Sequence, residues 1–105
     1  MTHAEVMAMV EELGFPNAYD HFTEDESPDP PFVCYLYPSA KNFSADNIVY
    51  HSFNELDIEL YTDEKSPELE AHVEAVLTAH ELFYNKSEVW IKKERLYEVL
   101  YEVTV

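Results

Sequence analysis

Three acidic residues occupy alternate positions of one predicted strand. Of all the features in the sequence, their spacing most resembles that of a catalytic or metal-binding site. Glu55, Asp57 and Glu59 alternate with aliphatic residues in the segment 53–62. Side chains two residues apart on a strand share a face at intervals of ~6.6 to 7 Å, a spacing compatible with a glycosidase pair or a calcium site. A glycosidase also needs a cleft and one carboxyl with a raised pKa, and no histidine or glycine here is arranged to build a pocket. We therefore interpret this acid row as a face in water or at an interface, where it acts by repulsion.

The histidines, the cysteine and the serines give no pattern for catalysis. His72 and His80 are eight residues apart on a predicted helix, too far to share a metal ion, and no H-E-x-x-H motif occurs. Cys34 lies in a strand among bulky residues, which predicts a buried and inert thiol. The serines have no flanking glycines of the kind found at a nucleophile elbow. The sequence predicts no catalytic residue, no metal site and no cofactor.

The charge of the chain excludes several classes of partner. The chain has 22 acids against 6 lysines and arginines, a formal net charge of -16. Such a chain repels phosphate backbones and anionic lipid, so we expect neither tight nucleic-acid binding nor membrane binding. The single glycine excludes a glycine-rich phosphate loop. The basic cluster, Lys92, Lys93 and Arg95, is the one local excess of positive charge, and it is interpreted either as a solvated turn or as a contact for an acidic neighbouring subunit.

Length and composition predict one folded domain over residues 1–105. Hydrophobic residues make up 47% of the 105 residues and aromatic residues 14%, too much bulky apolar content for a disordered chain. No apolar run approaches the ~20 residues of a membrane span, and no signal-peptide pattern opens the sequence. A single cysteine excludes an internal disulfide, which suits a reducing compartment.

Periodicity predicts an α+β fold. Thr2 and Glu5 have capping-box spacing at the start of a helix that ends at Gly14, and Ser66 with Pro67 begins a second helix. Strands are predicted at 32–37, 47–52, 53–62, 82–90 and 96–105. The order α-β-β-β-α-β-β predicts a two-layer sandwich, with both helices on one face of a mostly antiparallel sheet. We expect the first three strands to be antiparallel neighbours and residues 56–90 to form a right-handed crossover.

Two further features suggest contacts between subunits. Residues 39–46 form a polar loop with one isolated aromatic residue, and the candidate contacts in this assembly loop are Lys41, Asn42, Phe43, Ser44 and Asp46. Tyrosine is also favoured at protein interfaces. A tyrosine band on the sheet is therefore a second candidate contact, unless most of these rings lie in the core; its members are Tyr35, Tyr37, Tyr97 and Tyr101.

A succession of short segments runs through most of the chain. The segments are YDHF at 19–22, PFVCYLY at 31–37, FSADN at 43–47, IELYT at 58–62 and LYEVLYE at 96–102, with Glu70 and Leu77 on the second helix. This succession resembles the tail-completion or tail-terminator proteins, and the head–tail joining proteins of the same kind, of long-tailed phages and of prophages in Gram-positive bacteria.

The resemblance implies a small α+β subunit without enzymatic activity. It implies an oligomeric ring, typically a hexamer, that caps the tail tube or joins tail to head. The implied partners are further copies of the chain, the tail tube protein and head–tail connector proteins. The implied location is the host cytoplasm during assembly, and then the virion tail or the head–tail junction.

The strong negative charge is compatible with a ring through which DNA slides, because carboxylates facing the channel would repel the duplex. The alternative hypothesis from composition is an acidic DNA mimic, an inhibitor whose carboxylates replace phosphates on a nucleic-acid-binding protein.

Overall fold

A computed structural model describes residues 1–38 and 55–105. The described elements are α1 (His3–Glu12), β1 (Asn17–Tyr19), a 3-10 turn (Glu24–Glu26), β2 (Phe32–Leu36), β3 (Glu55–Thr62), α2 (Pro67–Ala79), β4 (Phe83–Ile91) and β5 (Leu96–Thr104). The predicted α+β class is confirmed, with helix, three strands, helix and two strands in succession. The predicted strand at 47–52 and the assembly loop lie outside the described residues.

The five strands form one sheet in the order β1-β2-β3-β5-β4. β1 pairs parallel to β2, and the other neighbouring pairs are antiparallel. β3 and β4 are both antiparallel to β5, so they are parallel to each other and α2 connects them, as expected for a crossover.

The structure adds one strand to the predicted topology and corrects one pairing. Asn17–Tyr19 forms β1 in a segment that the sequence left ambiguous, because three residues are too few to give a periodic signal. The strands at 32–37 and 53–62 were expected as the first and third of three antiparallel neighbours, which would make them parallel to each other. Instead β2 and β3 pair directly and antiparallel, with Phe32 opposite Tyr61 and Leu36 opposite Asp57.

Both helices pack on the same face of the sheet, and this face forms the core. The buried residues alternate along every long strand except β4, in agreement with the predicted period of two. The core joins residues of α1 and α2 to those of β2, β3 and β5; its most buried members are Val6, Met9, Val10, Val33, Leu56, Ile58, Leu60, Val73, Leu77, Val99 and Tyr101.

The helix ends follow the predicted capping chemistry. Thr2 Oγ1 accepts a hydrogen bond from the Glu5 N–H at 3.1 Å, and Glu5 Oε1 accepts one from the Thr2 N–H at 2.8 Å. Gly14 follows α1 with a φ of 79°, a left-handed conformation that favours glycine. Ser66 Oγ caps α2 by accepting from the Leu69 N–H at 3.3 Å, and Pro67 occupies the first turn. No helix in 1–38 or 55–105 is long and apolar enough to cross a membrane.

An ion-pair network joins α2 to β4, and the sequence analysis did not predict it. Glu70 is only 4% exposed, and its two carboxylate oxygens lie 2.7 Å from Lys65 Nζ and 2.7 Å from Lys86 Nζ. Lys86 also contacts Glu74 at 2.8 Å, and the Tyr101 hydroxyl donates to that carboxylate at 2.8 Å. Burial alone would raise the pKa of Glu70, but the two lysines outweigh it and hold the pKa below its ordinary value.

The first prediction concerns the apolar stripe of α2. Val73 is fully buried, so Val73→Asp places a carboxylate among Leu77 and the core strands and should remove several kcal/mol from a total stability of about 5–15 kcal/mol. Thermal unfolding measures the loss. Ala75→Asp on the exposed side of the same helix is the matched control and should change the melting temperature little. An unchanged melting temperature for Val73→Asp would show that this stripe faces water.

The second prediction concerns the network. Lys86→Ala leaves Glu70 buried with one lysine instead of two, so urea unfolding should report a loss of about 1 to 3 kcal/mol. Adding Glu70→Gln should recover part of this loss, because a neutral amide needs no counter-charge. The control is Lys92→Ala, at an exposed lysine outside the network. Equal stability of Lys86→Ala and the wild-type chain would contradict a stabilising role for the network.

Candidate interface on the outer face of the sheet

The acid row lies on the sheet face opposite the two helices, here called the outer face. Glu55 is exposed, and Asp57 and Glu59 are half-buried. The alternating Leu56, Ile58 and Leu60 point into the core, so the predicted division between a core face and an acidic face is observed. The alternation in the sequence therefore predicted the correct face for these three side chains. Their proposed action by repulsion remains a prediction.

Strand β5 adds two more carboxylates to the outer face. The register places Asp57 opposite Glu102 and Tyr61 opposite Glu98. Residues opposite each other on antiparallel strands share a face, so Glu98 and Glu102 extend the acid row across the sheet. The sequence analysis did not join them to the row. The alternation of β5 already indicated that Glu98 and Glu102 share a face. Only the β3–β5 pairing shows that this face is the one that carries the acid row.

A tyrosine bridges two acids in the middle of the outer face. The Tyr61 hydroxyl donates to Glu98 Oε2 at 2.7 Å and lies 3.3 Å from Glu59 Oε1. Burial, and then repulsion from Glu98, raises the pKa of Glu59 to about 7. Burial and the hydrogen bond to Glu98 also raise the pKa of the Tyr61 hydroxyl, which stays protonated and able to donate. At neutral pH Glu59 is therefore partly protonated, unlike an ordinary surface carboxylate.

The outer face changes character along the strands. Its acidic end, defined by Glu55, Asp57 and Glu102, borders a hollow of about 280 Å³ that Pro38, Asn85 and Thr104 also line. Its apolar end carries Phe32, Tyr61, Ile91 and Leu96, the first two with rings stacked at 5.0 Å.

Segment 20–31 covers part of the apolar end. Phe22 packs edge-on against Phe32 at 5.4 Å, and both Phe32 and Cys34 are buried. A second hollow of about 380 Å³ opens here; it is lined by Asp20, His21, Phe22, Ser27, Phe32, Cys34, Tyr61, Ile91 and Glu94. Beyond it Leu96 and Leu100 are half-exposed, and both described helices lie on the other side of the sheet.

The second hollow contains a cysteine and a histidine but no activated nucleophile. Burial, and then the nearby Glu59 carboxylate, raises the pKa of the Cys34 thiol to about 11, so the thiol stays protonated at neutral pH. His21 Nδ1 contacts Asp20 at 2.7 Å, and both of these side chains are exposed. Cys34 is buried as predicted. Within the described residues, no group of three or more histidine, cysteine, aspartate or glutamate side chains could hold a metal ion.

The basic cluster lies on the turn between β4 and β5. Lys92, Lys93 and Arg95 are all exposed there, and Arg95 adopts a left-handed φ of 56°. None of the three forms an ion pair with another residue of the described ranges. The fold thus keeps the cluster together, and its proposed contact with a neighbour remains a prediction.

The other predicted contacts differ in outcome. The assembly-loop residues fall outside the described residues; they are Lys41, Asn42, Phe43, Ser44 and Asp46. Of the two alternatives for the tyrosines, the structure supports the core, because Tyr35, Tyr37 and Tyr101 are buried there. The fourth, Tyr97, is half-buried and packs against Trp90 with ring centroids 4.7 Å apart.

Comparison of the chain with protein-family models, curated proteins and solved structures found no match.

The third prediction uses the unusual carboxyl of the outer face. A raised pKa in the folded state means that folding disfavours the charged form of Glu59. The contribution of Glu59 to the free energy of unfolding is therefore fully present below the unfolded pKa of about 4.5, and it is lost as the pH rises through about 7. Glu59→Gln removes this loss. Because Glu59 is only half-buried, we expect the variant to gain about 1 kcal/mol at pH 8 and almost nothing at pH 5.

Urea unfolding of both chains between pH 5 and pH 8 measures this difference. Glu55→Gln removes a charge from the exposed end of the same row and should leave the pH dependence unchanged. Parallel stability curves for Glu59→Gln and the wild-type chain would contradict the raised pKa.

Proposed function

We propose that the protein is a non-enzymatic structural subunit of a phage tail, which caps the tail tube or joins tail to head as an oligomeric ring. The observation that carries the proposal is the outer face, a strand surface with an acidic end and an apolar end that neither described helix covers. The resemblance of the chain to tail-completion proteins supplies the class of assembly. The protein would act in the host cytoplasm during assembly and then in the virion tail or head–tail junction.

The apolar end supports a protein contact. Leu96 and Leu100 are half-exposed beside the ring pair of Phe32 and Tyr61. Cores of protein interfaces are enriched in aromatic residues and depleted of charge, and their rims are polar. The apolar end has this composition, so we assign it to the contact with a tail tube protein, a connector protein or another copy of the chain.

The acidic end supports a surface that DNA passes without binding. Glu55, Asp57 and Glu102 lie together on a chain of net charge -16. A duplex carries one phosphate charge per ~1.7 Å of its axis, so carboxylates along a channel repel it and keep it from adhering. In a ring, every subunit would contribute the same acids to the channel wall.

A DNA mimic remains the second candidate because of one specific observation. The outer face groups five carboxylates on two paired strands, at the positions of Glu55, Asp57, Glu59, Glu98 and Glu102. Such a surface could occupy the phosphate-binding site of a partner. Electron microscopy of phage tails labelled for this protein separates the two functions, because only a tail subunit labels one end of the tube.

The fourth prediction tests the acid row in assembly. The triple variant Glu55→Gln, Asp57→Asn, Glu59→Gln removes up to three negative charges per subunit, because Glu59 is partly protonated at neutral pH. It should fold, because acids on a sheet face outside the core contribute little to stability. Tails should be completed in normal number, whereas infectious particles should decrease, most strongly at low salt where charge is least screened. A complementation assay that counts finished tails and infectious particles separately measures both.

The matched control changes Glu24, Asp25 and Glu26 to their amides on the exposed 3-10 turn, which removes the same charge away from the sheet. Loss of finished tails in the triple variant would instead assign the row to a basic surface on a neighbour. Normal numbers of both tails and infectious particles would remove the channel role.

A further inference from the structure

Among the strands that the structure describes, β4 is a long edge of the sheet with no neighbour on its outer side. It is the last strand in the order β1-β2-β3-β5-β4, and its nine residues pair with β5 in one continuous register without a bulge. The opposite edge, β1, has only three residues. An edge strand presents alternate backbone N–H and C=O groups that can pair with another strand.

The side chains of β4 are unusually apolar for an exposed edge. Phe83 is 84% exposed, Val89 50% and Trp90 44%. Charged residues commonly protect such edges, but the one lysine of β4, Lys86, is held by Glu70 and Glu74 on α2. The strand has no proline. The features that usually keep an edge from pairing are therefore weak here.

We propose that β4 is a self-association site, at which two copies of this chain pair their β4 strands antiparallel about a two-fold axis at Ser87. The occupant follows from the sequence of the strand, which is complementary to itself when reversed. With Ser87 opposite Ser87, each Lys86 lies opposite Glu88 of the second copy. Within its own chain Lys86 pairs with Glu70 and Glu74 and Glu88 pairs with Lys65, so the register brings opposite charges together without depending on unpaired ones. The inference does not rest on the proposed function.

The apolar ends of β4 match in the same register. Phe83 lies opposite Ile91 of the second copy, and Tyr84 lies opposite Trp90. Aromatic pairs and aromatic–β-branched pairs are among the cross-strand contacts that stabilise sheets. Both ends of the paired strands would therefore bury exposed apolar surface.

The two nearest alternative registers are unfavourable. A two-fold axis normal to the sheet keeps the side chains of both copies on their original faces. With such an axis, a different register requires a different residue of β4 to lie on the axis. A centre at Lys86 places lysine opposite lysine, and a centre at Glu88 places glutamate opposite glutamate. Like charges directly opposite each other are destabilising, so Ser87 is the favoured centre.

The charge distribution also favours β4 as the contact between two acidic chains. β4 carries one lysine and one glutamate and is therefore neutral, within a chain of net charge -16. The basic cluster follows at its end, and the antiparallel register brings Lys93 of one copy toward Glu81 of the other. Glu81 is exposed at the turn before β4. The basic cluster thus gains an acidic neighbour, as its composition suggested.

Cysteine cross-linking of the full-length chain tests the register, and it is the fifth prediction. Ser87→Cys places two thiols directly opposite each other with Cβ atoms about 4.5–5.5 Å apart, close to disulfide distance. Diamide should therefore convert this variant to a covalent dimer. Phe83→Cys, on the same face and 84% exposed, is the matched control. It should not cross-link to itself, because its two copies lie about 27 Å apart along the strands.

A mixture of Phe83→Cys and Ile91→Cys should form the mixed dimer, as only the proposed register brings these positions together. The wild-type chain, with the buried Cys34 alone, reports background oxidation. Monomeric Ser87→Cys after oxidation, or equal cross-linking of Phe83→Cys with itself, would overturn the proposal.

Sedimentation velocity of the chains without added cysteines gives an independent measurement. Glu88→Lys places lysine opposite lysine twice and should weaken dimerisation at least about tenfold. Glu24→Lys makes the same charge change on the exposed 3-10 turn and should not weaken it. A wild-type chain that stays monomeric at every concentration, or equal dissociation constants for the two variants, would contradict pairing through β4.

Discussion

The structure depends on one constraint, that both helices cover the same face of a five-stranded sheet. Alternation along β3 then sends Leu56, Ile58 and Leu60 into the core and leaves Glu55, Asp57 and Glu59 on the other side. Within the described residues, α1 and α2 are both used on the core face, so neither covers the second face. The outer face is therefore a product of the fold, and its unusual carboxyl, Glu59, exists because neighbouring apolar residues exclude part of the water around it.

The carboxylates on the two faces of the sheet have different partners. On the helix side, buried Glu70 is neutralised by Lys65 and Lys86, and the lysines are thereby used to hold α2 on β4. On the outer face, Glu59 and Glu98 share only the hydroxyl of Tyr61. Glu70 in the network is paired with lysines, whereas Glu59 and Glu98 on the outer face repel each other. That contrast is expected of a surface retained for contact with other molecules.

Local patterns allowed much of the fold to be predicted. The capping box of Thr2 and Glu5, the Ser66 cap and the alternation of β3 depend on residues close together in the sequence, and the structure has all three. The parallel strand β1 and the ion pair of Lys86 with Glu70 were not predicted, because each depends on which distant segments become neighbours. The same limit applies to the site: β3 was assigned its acid row, but Glu98 and Glu102 joined it only through the β3–β5 register.

The central claim is that the apolar end of the outer face becomes buried when the protein joins its assembly. Carbodiimide labelling of carboxylates, read by mass spectrometry, measures this for the free chain and for the chain bound to isolated tail tubes. The account predicts that labelling of Glu98, which bonds to Tyr61 at the apolar end, falls on binding. Glu24 and Glu26 on the exposed 3-10 turn should be labelled equally in both states. Equal labelling of Glu98 in the free and bound chains would contradict the account, because the apolar end would then remain in water.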